Sequence, residues 1–343
     1  EEVRVAIELV RARKSALGRL DHADSVVGDV EGVQQSSSSA VAKWKANRFK
    51  DCAQIVDLCC GIGGDLLHLS DKATGVDIDP LRCWMAKQNT GKEVSCEDVR
   101  EFRGVANATI LLDPSRRDAT GKRLDLDKMH PTIAEVQTIS ANAVAGCVKL
   151  SPAIECEDVA GIGDCREVEF IEDRGRVTQG IVWFNSLATA NTEVTATSLT
   201  SGQTISGSIN PPRVSSEFGS WLFEANPALE RAKLHGTLAH KFELWEPAFG
   251  LGLLCGNTHF KSSWFTSFEV LETTPLRLEK VAAALGNLNA GEVEVKTRGG
   301  VIDPNDWQNK LQQPASNSNE RLTVFALRLA KKRIALITRR LKL

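Results

Sequence analysis

The sequence predicts an α/β protein: a doubly wound sheet of parallel strands ending in an antiparallel hairpin, with a helical lead-in before it and a second, smaller α/β domain after it. Three observations carry this prediction. Short apolar runs alternate with helix-length spacers between residues 54 and 152. Two further runs, 166–172 and 180–186, have only Asp173 to Gln179 between them. A stretch rich in Thr, Ser, Gly and Asn then separates this half from a different set of helices and strands.

In chain order, residues 1–20 read as a helix, because Val5, Ala6, Leu9 and Val10 recur at helical spacing. Residues 21–40 are polar and close on a run of serines, a loop or helix start. Residues 41–50 form a short helix bearing Lys43, Lys45, Arg48 and Lys50. The runs at 54–60, 73–78, 93–98, 108–113 and 145–152 are strands of right-handed βαβ units. The 166–172 and 180–186 runs are too close for a crossover helix and must form an antiparallel hairpin. Residues 188–213 read as a linker holding a small hairpin near Thr192 to Leu199. Beyond it come a helix (227–238), a mixed segment to Ser263, a strand (264–272), a helix (276–285), a strand (292–297), a helix from Asn305 and two closing β runs. The expected divisions are 1–50 for the lead-in, 51–190 for the sheet domain, 191–218 for the linker and 219–343 for the second domain.

Composition excludes several functions. The 343 residues carry a net charge of −2, so nucleic acid would be held by a local patch and not by a global field. Nine Cys without a CxxC spacing read as reduced thiols in the cytoplasm. Six scattered His and no HExxH leave no metal site to expect. The absence of GxSxG and GxxxxGK[ST] removes the corresponding serine hydrolases and P-loop NTPases. Tyr is absent, which removes phenol chemistry. The longest nearly unbroken apolar run, 248–255, is far short of the roughly 20 residues that span a bilayer. The N-terminus lacks a secretory pattern, and its first residue is not Met, as in a trimmed chain.

The chemistry gathers at the strand ends. The segment Val56-Asp57-Leu58-Cys59-Cys60-Gly61-Ile62-Gly63-Gly64-Asp65 follows the first strand, and its glycines let the backbone approach a ligand. Asp77 ends the second strand, twenty residues after Asp57, where an acid accepts both hydroxyls of a ribose. Asp79 precedes Pro80 and reads as a helix cap. Asp98 ends the third strand, within reach of an adenine amine. Each group alone could be an ordinary turn or strand-end residue, but ligands of open α/β sheets bind where these fall together.

DLCCGIGGD, GVDIDP, SCEDV and LLDPSRR, taken with the antiparallel final hairpin, resemble a class I S-adenosylmethionine-dependent methyltransferase. Val33-Gln34-Gln35, the DPxRR signature at Asp113 to Arg117, and LSP at 150–152 resemble an uncharacterised bacterial family of such enzymes with a THUMP-like C-terminal domain. EVKTRGGVIDPNDWQNKL (292–311) is similar to the strand, RG turn and helix of that domain. The resemblance implies a Rossmann-like methyltransferase sheet and S-adenosylmethionine as cofactor. It implies that Asp57, Cys59, Gly61 and Gly63 hold the methionine part. Asp77 and Ile78 would then hold the ribose, and Asp98 and Val99 the adenine.

Asp113-Pro114-Ser115-Arg116-Arg117 stands where amino-methyltransferases of this class carry (D/N)PP(Y/F/W). Asp113 and Pro114 match. Ser115 replaces the second proline and Arg116 the aromatic. Asp113, Pro114 and Arg116 are the catalytic candidates: Asp113 can orient an amine, and an arginine can bind an anion bidentately or stack on a base. Arg117, Lys149 and Ser151 border the same face as substrate-binding candidates, although the two arginines could instead pair with nearby acids and shape the loop. From Arg321 to Leu343 there are eight basic residues and no acid, and Lys331, Lys332 and Arg333 centre a candidate RNA patch, with Lys296 and Arg298 as an extension. The leading reading is methyl transfer to a nitrogen of an RNA base. The alternatives are a methyltransferase of a small anionic metabolite or of protein, and a non-catalytic cofactor-binding module.

Overall fold

The computed structural model describes residues 2–115, 128–189, 192–312, 318–329 and 331–341. Arg116 and Arg117 lie outside the described residues. The chain separates into two compact units, Glu1–Gly207 and Ser208–Leu343.

Three helices open the first unit: α1 (Glu2–Ala16), α2 (Val30–Gln35) and α3 (Ser39–Arg48). The polar stretch before residue 40 is mostly helix caps. Asp29 accepts from the Gly32 amide and Ser38 from the Val41 amide, satisfying donors that a first helical turn leaves free. Ala12, Ala16, Leu20 and Val33 pack against Ile62 and Met85, which joins the lead-in to the sheet.

The sheet of this unit contains β1 (Ile55–Leu58), β2 (Thr74–Asp77), β3 (Val94–Cys96), β4 (Thr109–Leu112), β5 (Ala145–Leu150), β6 (Arg166–Asp173), β7 (Arg176–Asn185), β8 (Val194–Ser198) and β9 (Gln203–Gly207). Their order is β3-β2-β1-β4-β5-β7-β6-β8-β9. Strand β1 runs parallel to both β2 and β4, with Asp57 opposite Gly75 and Leu111. β1 and β4 are buried at every position, which is why they read as continuous apolar runs. β7 lies antiparallel between β5 and β6, as the short spacer predicted. The crossover helix α4 (Pro80–Thr90) begins at the cap Asp79 with Pro80 in its first turn and ends at left-handed Gly91. A capping box of Thr132 and Glu135 starts α5 (Ile133–Asn142).

Two expectations are corrected here. The glycine loop leads into a single 3-10 turn, Leu66–His68, and not a full helix. Lys92 takes the carbonyls of Leu66 and Leu69, which closes that turn. The Thr-rich stretch read as part of a linker is instead sheet. β8 pairs parallel with β6, and β9 returns antiparallel. The hydroxyls of Thr195 and Thr197 bond the buried carboxylates of Glu167 and Glu169. A β-branched residue suits a strand, and its hydroxyl satisfies an acid inside.

The second unit contains β10 (Arg213–Val214), β11 (Trp221–Ala225), α6 (Pro227–Arg231), α7 (His235–Lys241), β12 (Trp245–Glu246), β13 (Leu253–Gly256), β14 (Phe265–Pro275), α8 (Leu278–Asn287), β15 (Glu292–Arg298), α9 (Pro304–Leu311), β16 (Arg321–Leu329) and β17 (Lys332–Arg340). The strand order is β10-β12-β13-β11-β14-β17-β16-β15. Val281, Leu285 and Leu311 from the helices pack on Val293, Leu322 and Ile337 of the strands. The single helix expected over 227–238 is broken at Lys233, whose φ of 56° is left-handed. Among the described residues no helix is long and apolar enough to cross a membrane.

Candidate active site

A cavity of about 1100 Å³ opens in the first unit at the carboxyl ends of β1, β2 and β4, where the strand order reverses. Small-molecule sites span roughly 300–1,000 Å³, so this one has room for a cofactor and part of a second ligand.

The glycine turn forms one wall. Cys59, Gly61 and Gly63 all have positive φ. A Cβ on Gly61 would meet nothing within 4 Å, so the backbone faces open space there. A Cβ on Gly63 would come 2.8 Å from Thr90, so that glycine serves close packing on α4 and does not line the cavity. Asp77 accepts the Gly61 amide at 2.8 Å on one oxygen and the Asp79 amide at 3.0 Å on the other. Each carboxylate oxygen has a second lone pair, so Asp77 can still accept from a diol. Ile78 is 65% exposed and lines the cavity, as does the buried Val99. Asp98 also lines the cavity, but Arg100 grips both its oxygens and holds its carboxyl below the usual range. An adenine amine must therefore share Asp98 with Arg100.

Asp57 is 1% exposed and lies beneath the turn, outside the cavity wall. Its Oδ2 is buried without a hydrogen-bond partner. Burial first, then the charge of Asp65, pushes its pKa well up. Burial also raises the Cys59 thiol well above its usual value, with nearby acids adding to the effect.

A polar cluster that the sequence did not reveal ties the lead-in to this turn. Lys45 is 0% exposed and reaches Asp65 at 2.6 Å. Ser37 donates to the same Asp65 oxygen and accepts from Lys45 and Gln179. Burial works to lower the Lys45 pKa, but the charge and hydrogen bond of Asp65, with Cys147 and Asp113, together reverse it and the net shift is upward. Burial likewise works to raise Asp65, and Lys45 and Lys149 reverse it. Asp65 stood in the glycine motif and Lys45 on a predicted helix. Nothing in their spacing, 20 residues apart, paired them.

The ends of β4 and β5 bring the candidate acceptor residues together on the cavity wall. Lys149, nearly buried, places its Nζ 2.5 Å from Asp113 Oδ2 and donates to the Gln35 carbonyl at 3.2 Å. Asp113 and Pro114 face the cavity. Ser115 and His130 exchange both backbone bonds, which brings His130 to the same wall. Lys149 is thus occupied in holding Asp113. Ser151 does not line the cavity; it accepts the Ala153 amide in a turn.

In the second unit Lys331, Lys332 and Arg333 are exposed at the β16–β17 turn, and among the described residues none is in an ion pair. Arg321 and Arg339 face Glu292, Glu269 and Glu320 instead. Lys296 and Arg298 do not extend the patch, because both are engaged by Glu224.

A family model described as THUMP domain-like matches residues 265–340. An uncharacterised S-adenosylmethionine-dependent methyltransferase of Mycobacterium tuberculosis is 28% identical over 321 residues, covering 89% of this chain and 88% of that protein. The crystal structure of a presumed methyltransferase from Porphyromonas gingivalis W83 superposes with a TM-score of 0.76 at 17% identity, covering 98% of this chain and 90% of that one. The chain is thus similar to uncharacterised S-adenosylmethionine-dependent methyltransferases, shares the fold of the Porphyromonas gingivalis protein and carries a THUMP-like region at its C-terminal end.

Proposed function

We propose that the protein transfers a methyl group from S-adenosylmethionine to a nitrogen of an RNA base. The observation that carries this reading is one cavity bordered both by the Asp77 strand end and by Asp113 clamped on Lys149. The residues fit the cofactor: open backbone at Gly61, a carboxylate for the ribose at Asp77, and an apolar flank at Ile78. When bound, the cofactor supplies an electrophilic methyl group. Lys149 fixes the rotamer of Asp113, and Asp113 accepts a hydrogen bond from the incoming amine and aims its lone pair. Pro114 and Val99 exclude water from the wall around it. Positioning of this kind accounts for much of the rate in displacement reactions. The exposed Lys331, Lys332 and Arg333 would track RNA phosphates. Nine free cysteines fit a reducing cytoplasm.

Tritiated S-adenosylmethionine, purified protein and cell extract test the substrate class. Label that is lost to RNase and kept with protease is the expected result. Protease-sensitive label would move the substrate to protein, and no macromolecular label would leave a small anionic metabolite or a silent binder.

The cofactor assignment has its own test. Asp77→Ala is expected to weaken S-adenosylhomocysteine binding by about 1–3 kcal/mol, the cost of leaving buried polar groups unpaired. Calorimetry giving wild-type affinity would refute the role of Asp77.

A further inference from the structure

We infer that Arg174 and Arg176, at the tip of the β6–β7 hairpin, form a phosphate-binding rim that holds the backbone of a nucleic-acid strand whose target base enters the Asp113 end of the cavity. The inference rests on the RNA reading above. Both arginines are exposed and both line the cavity, together with Thr178, Gly18 and Arg19.

The hairpin is placed for this contact. Its last pairing with β5 is Gly180 opposite Leu150, whereas β7 begins at Arg176. Four residues of β7 therefore overhang the carboxyl edge of β5, a reach of about 13 Å at ~3.4 Å per residue. That is beyond the acceptor atom itself, yet suited to phosphates flanking a base held at Asp113. The tip is also rigid. The Arg174 amide donates to Thr200, and the Gly175 amide donates to Glu172, whose carboxylate also takes Ser198 and Thr200. The Arg174 guanidinium lies 3.7 Å from where a Cβ on Gly18 would stand, so it rests on the lead-in at the cavity mouth.

The choice of residue at the tip is informative. Asp173 pairs directly with Arg176, leaving a two-residue turn in which Arg174 has φ 52° and Gly175 φ 78°. Such turns favour Asn or Gly at the first position, and an arginine there is conformationally costly. The charge balance leaves the guanidiniums available. Asp173 touches Arg174 only at 4.0 Å, through Nε, and also faces Arg19, whose own donors are used on the Val33, Gln34 and Ser36 carbonyls. Two planar guanidiniums match phosphate oxygens in bidentate geometry, while the Thr178 hydroxyl is spent on the Ile171 carbonyl within the hairpin.

The test uses the full chain saturated with S-adenosylhomocysteine. Its probes are a fluorescein-labelled, mixed-sequence 12-nucleotide RNA and inorganic tripolyphosphate as competitor. Arg174→Asn/Arg176→Gln is expected to weaken RNA binding at least tenfold. It should also flatten the log–log salt dependence by about 1.4, or ~0.7 per lost phosphate contact. Cofactor affinity should not change, and thermal stability should hold or rise, because Asn suits the turn better. Wild-type RNA affinity and salt slope in the variant would overturn the rim while leaving the RNA reading intact. If tripolyphosphate, titrated directly by calorimetry, binds the wild type and not the variant while RNA does not bind the wild type, the anion site stands and the RNA strand falls. A wild type that binds neither probe overturns the inference altogether.

Discussion

Lys45→Met is expected to destabilise the protein by about 3–5 kcal/mol at pH 7, the largest stability effect of any single change proposed here. The methionine nearly fills the space of the lysine stem, so the loss is electrostatic. It leaves Asp65 charged and buried, with Ser37 as its remaining direct donor. Chemical denaturation measures it, and a loss below ~1 kcal/mol would mean that Lys149 alone compensates Asp65. Lys45→Met/Asp65→Leu should recover most of the deficit, since an apolar pair of similar volume often replaces a buried ion pair without cost. The pH dependence has a definite sign. Asp65 is depressed in the folded state, so its contribution is present above the unfolded carboxylate value near ~3.9 and is lost as pH falls. Lys45 is raised, so its contribution is present below the unfolded value near ~10.4 and is lost as pH climbs through the folded one. The gap between wild type and Lys45→Met should therefore narrow below pH 4 and above pH 10. Asp57 acts in the opposite sense. Its raised value makes the folded state bind a proton more readily, and stability falls as pH rises through it.

Asp113→Ala is expected to cut turnover by about a hundredfold or more while leaving S-adenosylhomocysteine affinity within a factor of two. Lys149 and Asp113 meet at 2.5 Å at the ends of β4 and β5, and Asp113 takes no part in the Gly61–Asp77 hydrogen bond. Removing the carboxylate both unclamps the acceptor and leaves the Lys149 ammonium with the Gln35 carbonyl. Single-turnover kinetics and calorimetry on the same preparation separate the two effects. A large loss of cofactor binding with normal single-turnover chemistry would move Asp113 into the cofactor site. Asp113→Asn is a useful companion, because it preserves an oxygen for the amine while losing the ion pair.

The sheet was legible in the sequence where burial on both faces writes continuous apolar runs, as in β1, β4 and β5, and where a short spacer forces a hairpin, as between β6 and β7. It was illegible where polar residues do structural work inside. Thr195 and Thr197 read as a hairpin, but its place in the main sheet was hidden because their partners, Glu167 and Glu169, are buried acids some 28 residues earlier. The lone 3-10 turn after the glycine loop depends on Lys92, whose reach to Leu66 and Leu69 has no local signature. At the site, the position of Asp77, Asp98 and Asp113 on the cavity wall was readable because strand ends of an open α/β sheet border its crevice. The job of Lys149 and the Lys45–Asp65 pair were not, because each joins residues from separate elements. Asp57 illustrates the limit of motif reading: its place in the motif was right, but burial keeps it beneath the wall it was expected to line.

The lead-in supplies more than a cover. Arg48 sends both terminal nitrogens to Glu167 across the sheet, and Trp44 donates to Glu169. With Lys45 on Asp65, one short helix thus brings two cations and an indole donor to three acids. A fragment starting at residue 51 would contain the glycine loop and all the strand-end acids and still be a poor autonomous folder. The structural unit is the sheet together with its first fifty residues. A gene fusion, a crystallisation fragment or a recombination point that respects motif boundaries alone would cut through it.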